Sequence, residues 1–330
     1  MEATLARWVR RPVSDARRAR VLAIADCPGW AIDSKARNLG RALAGTFDVI
    51  VRYQHEVAEH DLETADIVLI FYWLEILQMP VPETVLERCA DRLVIGICSH
   101  SELEGGFREP GLSILNRLPR AVFVNNRNLE REYAPLLSVP IHYTPNGVDT
   151  TFFRPRPEPR AERTSAELRV GWAGSLANHG PALRGFHDVI EPAVAAAPGA
   201  TLSTAIREQR WRNRDEMLDF YRELDVYVCA SRSEGTPNPC LEAAACGVPV
   251  VSTRVGNMPE LIVDGKNGYL YDGSVQELAN RLAWLRDSPP LTAQLAGCMR
   301  ETIEAWDWRI QAQNYAAVFE SLLMRLDEQA

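Results

Sequence analysis

Two acidic residues, Glu234 and Glu242, stand eight positions apart in the segment Ser231-Arg-Ser-Glu-Gly-Thr-Pro-Asn-Pro-Cys-Leu-Glu-Ala-Ala-Ala-Cys-Gly-Val-Pro-Val-Val251. The apolar runs flanking this segment read as strands, so it follows the order strand, glycine turn, helix, strand. Glu234 then lies in the turn and Glu242 in the first turns of the helix. Asn238 is expected to cap that helix, Pro239 to be its first residue, and Gly247 to close it. The free amides of such a helix start favour an anion at the carboxyl edge of the sheet. Two carboxylates, which only accept hydrogen bonds, suit the hydroxyls of a sugar or a ribose beside that anion. Each carboxylate taken alone reads equally as a solvated turn or helix residue.

The elements that must hold these residues form two alternating series. In the first half, 20–25, 47–53, 67–73, 93–98, 121–125 and 141–144 read as strands and 33–44 as a helix. Their near-continuous Val, Ile and Leu content suits parallel strands buried on both faces. Pro145-Asn146-Gly147 is a turn. Arg154-Pro155-Arg156-Pro157-Glu158-Pro159 fits neither a helix interior nor a central strand and reads as a linker. The second series has strands at 168–172, 200–205, 226–230 and 249–252, with helices at 184–197, 215–224, 239–245 and 275–286. A final helix is expected over 309–326, carrying Ile310, Tyr315, Val318, Phe319, Leu322 and Leu323 at helical spacing. The expected organisation is a first α/β domain over 1–150, a linker over 151–167, a second over 168–305 and a terminal helix over 306–330. In such α/β sheets ligands lie outside the carboxyl ends of the strands, here expected in a cleft between the two domains.

Composition narrows the function classes. The apolar fraction of 46% and charged fraction of 24% are those of a soluble globular protein. A net charge of −8 argues against a general nucleic-acid binder. The longest apolar run, 67–74, is too short to span a bilayer, and residues 1–20 lack the apolar stretch of a secretory signal. Seven cysteines without a Cys-x-x-Cys pair fit reduced thiols in a cytoplasm. Cys98 and His100 are two potential ligands without partners, so no metal site is expected. The first 20 residues carry Arg7, Arg10, Arg11, Arg17, Arg18 and Arg20 around Trp8, which reads as a solvated arm or as a contact with the inner membrane surface.

The segment containing Glu234 and Glu242 resembles the signature of retaining nucleotide-sugar glycosyltransferases of family 4, whose hallmark is two glutamates with seven residues between them. Other stretches resemble the same family in the same order. Pro145-Asn146-Gly147-Val148-Asp149 with Phe153-Arg154-Pro155 resembles its interdomain crossing. Val170-Gly171-Trp172-Ala173-Gly174-Ser175 resembles the first strand and glycine turn of its donor domain. Val255-Gly256-Asn257-Met258-Pro259-Glu260 and Asp264-Gly265-Lys266-Asn267-Gly268 resemble the elements after its signature helix, and Trp308 with the last helix resembles its returning tail. The resemblance implies the B-type architecture: two Rossmann-like α/β domains, with a C-terminal helix packing back on the first.

It also implies roles. Glu242 would accept from the donor ribose, and Glu234 would hold hydroxyls of the transferred sugar, with His100 facing that sugar. Gly174, Ser175, Gly235, Thr236, Asn238, Cys240 and Leu241 would line the donor site. Arg184-Gly185 resembles the family's Lys-Gly, placing Arg184 on the diphosphate. Ser175 stands where the family has an arginine, so Arg207, Arg210 and Arg212 are alternatives for a second positive charge. Cys27-Pro28-Gly29-Trp30 replaces the family's glycine-rich first loop. Trp30, Tyr72 and Trp73 are acceptor-side candidates, Tyr72, Trp73 and Glu75 being readable also as core; Lys35 and His179 remain open on that side.

The implied reaction is transfer of a sugar from a nucleotide-sugar to an acceptor hydroxyl with retention of configuration, by a monomer or homodimer. No Asp-x-Asp pair occurs, so neither a metal nor another cofactor is expected. A nucleotide-sugar 2-epimerase and a non-catalytic nucleotide-sugar-binding partner of another transferase are the alternatives.

Overall fold

The computed structural model describes residues 17–157, 167–177 and 181–327 of the 330-residue chain. Its contacts divide into two compact units, Met1–Asn146 with Trp308–Ala330, and Gly147–Asp307. The division therefore falls at 146/147 and 307/308, a few residues from the expected 150/151 and 305/306. Most of the arginine-rich arm, 1–16, lies outside the described residues, as do His179 and 158–166 of the expected linker.

In the first unit six strands, β1 (Ala19–Ala25), β2 (Phe47–Tyr53), β3 (Ile67–Ile70), β4 (Leu93–Ile97), β5 (Ala121–Val124) and β6 (Ile141–Tyr143), form one parallel sheet. Their order is β2-β1-β3-β4-β5-β6. Alternate residues face opposite layers. Leu22, Ile24, Val68, Ile70 and Ile95 enter one core. Val21, Ala23, Ile67, Leu69 and Phe123 enter the other, which is covered by the helices Ala31–Leu43 and Trp308–Asp327. The last helix contributes Tyr315 and Phe319, whose rings pack edge-on against Phe123 and Phe47 at centroid separations of 5.4 Å each.

The second unit holds β7 (Leu168–Gly174), β8 (Ala200–Ile206), β9 (Val226–Cys229), β10 (Val250–Thr253) and β11 (Gly268–Tyr271), again all parallel, in the order β11-β10-β9-β7-β8. In each sheet the first strand of the series has its successor on one side and the third strand on the other. The order of strands therefore reverses at β1/β3 and at β7/β9.

Three departures from the expected elements have local causes. The strand begun at Ile67 ends at Ile70, and Trp73–Gln78 winds into a 3₁₀ helix. The helix expected over 184–197 is interrupted at Gly185 (φ 62°), which separates Pro181–Arg184 from a π-helical turn, Phe186–Ile190, and a short helix, Glu191–Ala195. A 16-residue helix, Pro289–Glu304, has no counterpart among the expected elements; its two leading prolines look like a break but fit a first helical turn.

The segments where the chain enters and leaves the second unit lie side by side within it. Val148 N donates to Trp306 O (2.9 Å), and the amide and hydroxyl of Thr150 both donate to Asp307 Oδ2 (3.1 and 2.6 Å). Beyond them Arg222 donates to the carbonyls of Arg154 and Pro155, so this part of the expected linker lies on the second unit. Among the described residues no helix is long and apolar enough to cross a membrane.

Candidate active site

The strand reversal at β7/β9 places the loops after these two strands, and the loop after the neighbouring β10, at one edge of the second sheet. Local packing fixes them there. Arg232 N donates to Leu183 O (2.9 Å), and Thr253 Oγ1 donates to Ser231 O (2.7 Å). Gly185 lies so close to β9 that a Cβ would stand 2.4 Å from Ala230 O, and its left-handed backbone is a conformation glycine adopts freely. This approach carries Arg184 to the loop bearing Glu234.

Glu234 Oε1 accepts from Ser231 Oγ at 2.9 Å and is ion-paired with the Arg184 guanidinium. Both partners are largely shielded, with side chains 23% (Arg184) and 13% (Glu234) exposed. Both bonds use Oε1, so the second carboxylate oxygen is left for another donor. Arg184 Nε and Ser233 Oγ are buried with no hydrogen-bond partner. The next loop closes from the β10 side: Asn257 Nδ2 donates to Thr236 Oγ1 (3.2 Å), while Asn257 Oδ1 is buried and unpartnered. Gly256 (φ 52°) permits this contact, since a Cβ there would stand 2.4 Å from Gly235 O. Three orphaned polar atoms on adjoining segments, two of them able to donate and two able to accept, can bond a polar ligand.

Glu242 lies on the helix Asn238–Ala245, and its Oε2 accepts from Tyr221 Oη at 2.7 Å. Burial pushes the Glu242 carboxyl up to about 7, against the opposing effects of the Tyr221 hydroxyl and the Arg214 charge. The same burial, with Glu242 beside it, drives the Tyr221 phenol well above its ordinary value. Tyr221 and Asn257 are the residues here that sequence reasoning did not place. Asn257 stood within a quoted motif, and nothing local marked Tyr221.

Several expectations are corrected. Asn238 is the first helical residue, not the cap. Pro237, whose ring carries no acceptor, takes the cap position without a side-chain bond, and Asn238 N donates to Thr236 O (2.9 Å). Cys240 and Leu241 are each 1% exposed and face the core, so only their backbone adjoins the site. Ser175, after Gly174 at the end of β7, bonds Glu208. The Ser175 hydroxyl and the Leu176 amide hold the Glu208 carboxyl down to about 2. Of the alternative cations, Arg210 pairs with Glu216 and Arg212 lies over the Phe220 ring. Arg207 is exposed, and none of the three is ion-paired with Glu234.

In the first unit His100 begins a short 3₁₀ turn after β4, with Nδ1 2.8 Å from Glu132 Oε2. Trp30 is 37% exposed ahead of the helix Ala31–Leu43. Trp73 is corrected to a core residue: it is 1% exposed, and its indole donates to Glu102 O (3.0 Å), because the 3₁₀ turn rotates it inward. Tyr72 stays half-buried, its phenol pushed upward by burial and by Glu102 and Glu75. Burial also holds Glu75 and Glu102 well above the usual carboxyl range. Both oxygens of Glu75 lack hydrogen-bond partners, and so does Oε2 of Glu102. Lys35 is buried nearby, 3.6 Å from Cys98 Sγ and facing the rings of Phe71, Phe123 and Tyr315.

With this geometry in place, residues 170–288 match the family model described as Glycosyl transferases group 1. The matched stretch lies wholly within the second unit. A D-inositol 3-phosphate glycosyltransferase of Arthrobacter sp. is 29% identical over 170 residues, covering 51% of this chain and 38% of the relative. An MMP alpha-(1->4)-mannosyltransferase of Mycolicibacterium hassiacum is 26% identical over 242 residues, covering 67% and 58%. The chain thus spans about two fifths to three fifths of the length of these two curated relatives. Among solved structures, sucrose-phosphate synthase of Thermosynechococcus elongatus aligns with a TM-score of 0.72 at 16% identity, over 93% of this chain and all of that one. Anabaena HepE in complex with UDP and glucose aligns with a TM-score of 0.67 at 15% identity, over 92% of this chain and all of that one. The architecture is the two-domain B-type glycosyltransferase fold.

Proposed function

We propose that this chain is a retaining glycosyltransferase, which moves a sugar from a nucleotide-sugar to an acceptor hydroxyl in the cytoplasm without a metal ion. The observation that carries the reading is the Arg184–Glu234 pair with the orphaned Arg184 Nε, Ser233 Oγ and Asn257 Oδ1 around it. A guanidinium has five donors, so Arg184 can keep Glu234 and still direct Nε at a phosphate oxygen. The Glu234 oxygen not engaged by Ser231 and Arg184 then accepts a hydroxyl of the transferred sugar. Glu242, held by Tyr221 through one oxygen, offers the other to a ribose hydroxyl. Positive charge from Arg184 lowers the cost of the departing diphosphate. The names of the relatives support a sugar-transfer reaction, and the UDP and glucose bound to HepE support a nucleotide donor. The seven free cysteines suit a reducing compartment.

Purified protein and its Glu242→Ala variant, screened by thermal shift against UDP-, GDP-, ADP- and dTDP-sugars, test the donor site. Stabilisation by one nucleotide family, absent in the variant, is the expected result. Equal stabilisation of both proteins would remove Glu242 from the site. Retention is read from the anomer first released when the bound donor is slowly hydrolysed, by proton NMR; release of the inverted anomer would overturn it.

A further inference from the structure

We infer that the first unit carries a second anion site, at the amino edge of its sheet, which takes a phosphate monoester. The residues that build it immediately precede β4 and β5 and close the last turn of the C-terminal helix. A cavity of about 270 Å³ is lined there by Asp91, Arg117, Leu118, Arg120 and Arg325, among others. It lies at the opposite edge of the sheet from His100 and belongs to a different unit from Arg184 and Glu234. The proposal therefore goes beyond the donor reading and does not rest on it.

Among the described residues, the charges lining this cavity do not cancel. Arg117 is committed to Glu83 and to Glu87, the latter at 2.7 Å. Asp91, the acid in the lining, lies 3.6 Å from Arg92, a guanidinium that is 1% exposed and makes no hydrogen bond of its own. That leaves Arg120 and Arg325, whose side chains make no ion pair or hydrogen bond among the described residues. Burial, and after it the Arg325 charge, lower the His142 pKa. Two unpaired guanidinium forks beside a polar cavity match the oxygens of a dianion. A phosphate monoester carries nearly two charges at neutral pH. The volume, just below the ~300 Å³ at which sites for larger ligands begin, suits one phosphate group with a small substituent. Both a soluble phosphate ester and a monoester lipid headgroup present this chemistry.

The test is calorimetric titration of inorganic phosphate at pH 8 in chloride buffer of fixed ionic strength. It uses wild-type protein, the Arg120→Ala/Arg325→Ala double variant, and Arg184→Ala as a control for the donor site. Both substituted arginines of the double variant are exposed, and matched thermal unfolding in phosphate-free buffer shows that its fold is kept. We expect phosphate to bind at least about tenfold more weakly at this site in the double variant, while Arg184→Ala, which removes the phosphate contact of the donor site, keeps the binding component that the double variant loses. Unchanged binding in the double variant, or binding abolished by Arg184→Ala alone, would overturn the proposal. Flotation with phosphatidic acid vesicles in phosphatidylcholine separates the sources. Retention of wild type and loss of the double variant assigns a lipid headgroup. Phosphate binding without retention assigns a soluble ester, and absence of both refutes the site.

Discussion

The two sheets share a strand order around their first strands but manage polar groups at their carboxyl edges in opposite ways. In the second unit the acidic groups are partly open and matched, Glu234 by Arg184 and Ser231, Glu242 by Tyr221. In the first unit they are sealed and mismatched: Glu75 has two oxygens without partners, and Glu102 has one. The Glu242 carboxyl, titrating at about 7, is a carboxylate in a substantial fraction at neutral pH and is then available to a hydroxyl. A sealed one holds its proton and behaves as a neutral acid. The difference separates a site organised before its ligand arrives from a region whose polar groups carry a standing desolvation penalty.

The sharpest way to break this contrast is to exchange the carboxyls. Glu242→Ala removes a charged acceptor from the donor side, at about 1.5–3 kcal/mol per hydrogen bond. Affinity for the nucleotide-sugar should fall by about 100-fold or more in a calorimetric titration. Glu75→Gln should leave that affinity unchanged. Next in size, Arg184→Ala should lower turnover by about 100-fold, as expected for loss of a group that stabilises the leaving diphosphate. The unfolding free energy should fall by about 1–3 kcal/mol, because the largely shielded Glu234 carboxylate loses its charged partner.

Glu75→Gln bears on the other half of the comparison. Its folded-state pKa lies above the unfolded one, so the native state binds the extra proton and stability is lost as pH rises past the ordinary carboxyl value. The variant should match the wild type near pH 5 and exceed its stability at pH 8, by on the order of 1–3 kcal/mol in urea unfolding. Equal stability at pH 8 would mean that Glu75 is satisfied by water or a bound group. The smallest effect concerns Glu242, whose carboxyl titrates at about 7. Donor binding needs the carboxylate, so affinity should rise about tenfold between pH 6 and pH 8, while this group's contribution to stability of the free protein declines over the approach to that range. In Glu242→Gln both trends should flatten.

How far the sequence revealed this arrangement depended on the distance between partners along the chain. Glu234, Gly235 and Glu242 lie within one short segment, where strand, glycine turn and helix follow from periodicity and composition. Their immediate setting was therefore legible. Tyr221 lies 21 positions before Glu242 and meets it only when the helix Arg214–Arg222 packs beside the signature helix. No local pattern reports that contact. Trp73 was left between acceptor and core for a different reason. The apolar run from Ile67 continues smoothly through it, yet the strand stops at Ile70, and the following 3₁₀ turn, not strand alternation, sets where the indole points. Cys240 and Leu241 show that a motif marks a segment without distinguishing the face that meets a ligand from the face that meets the core. The sealed acids of the first unit were readable as residues, while their missing partners are a property of the packed state alone.

The stitched entry and exit of the second unit, Val148–Thr150 against Trp306–Asp307, also sets an order in time. As the chain leaves the ribosome, everything needed for that unit has emerged once residue 307 is out. The first sheet was made earlier but still lacks Tyr315 and Phe319 over one of its faces. Its exposed apolar face must wait for the last helix. The half of the molecule that is synthesised first is the half that is completed last.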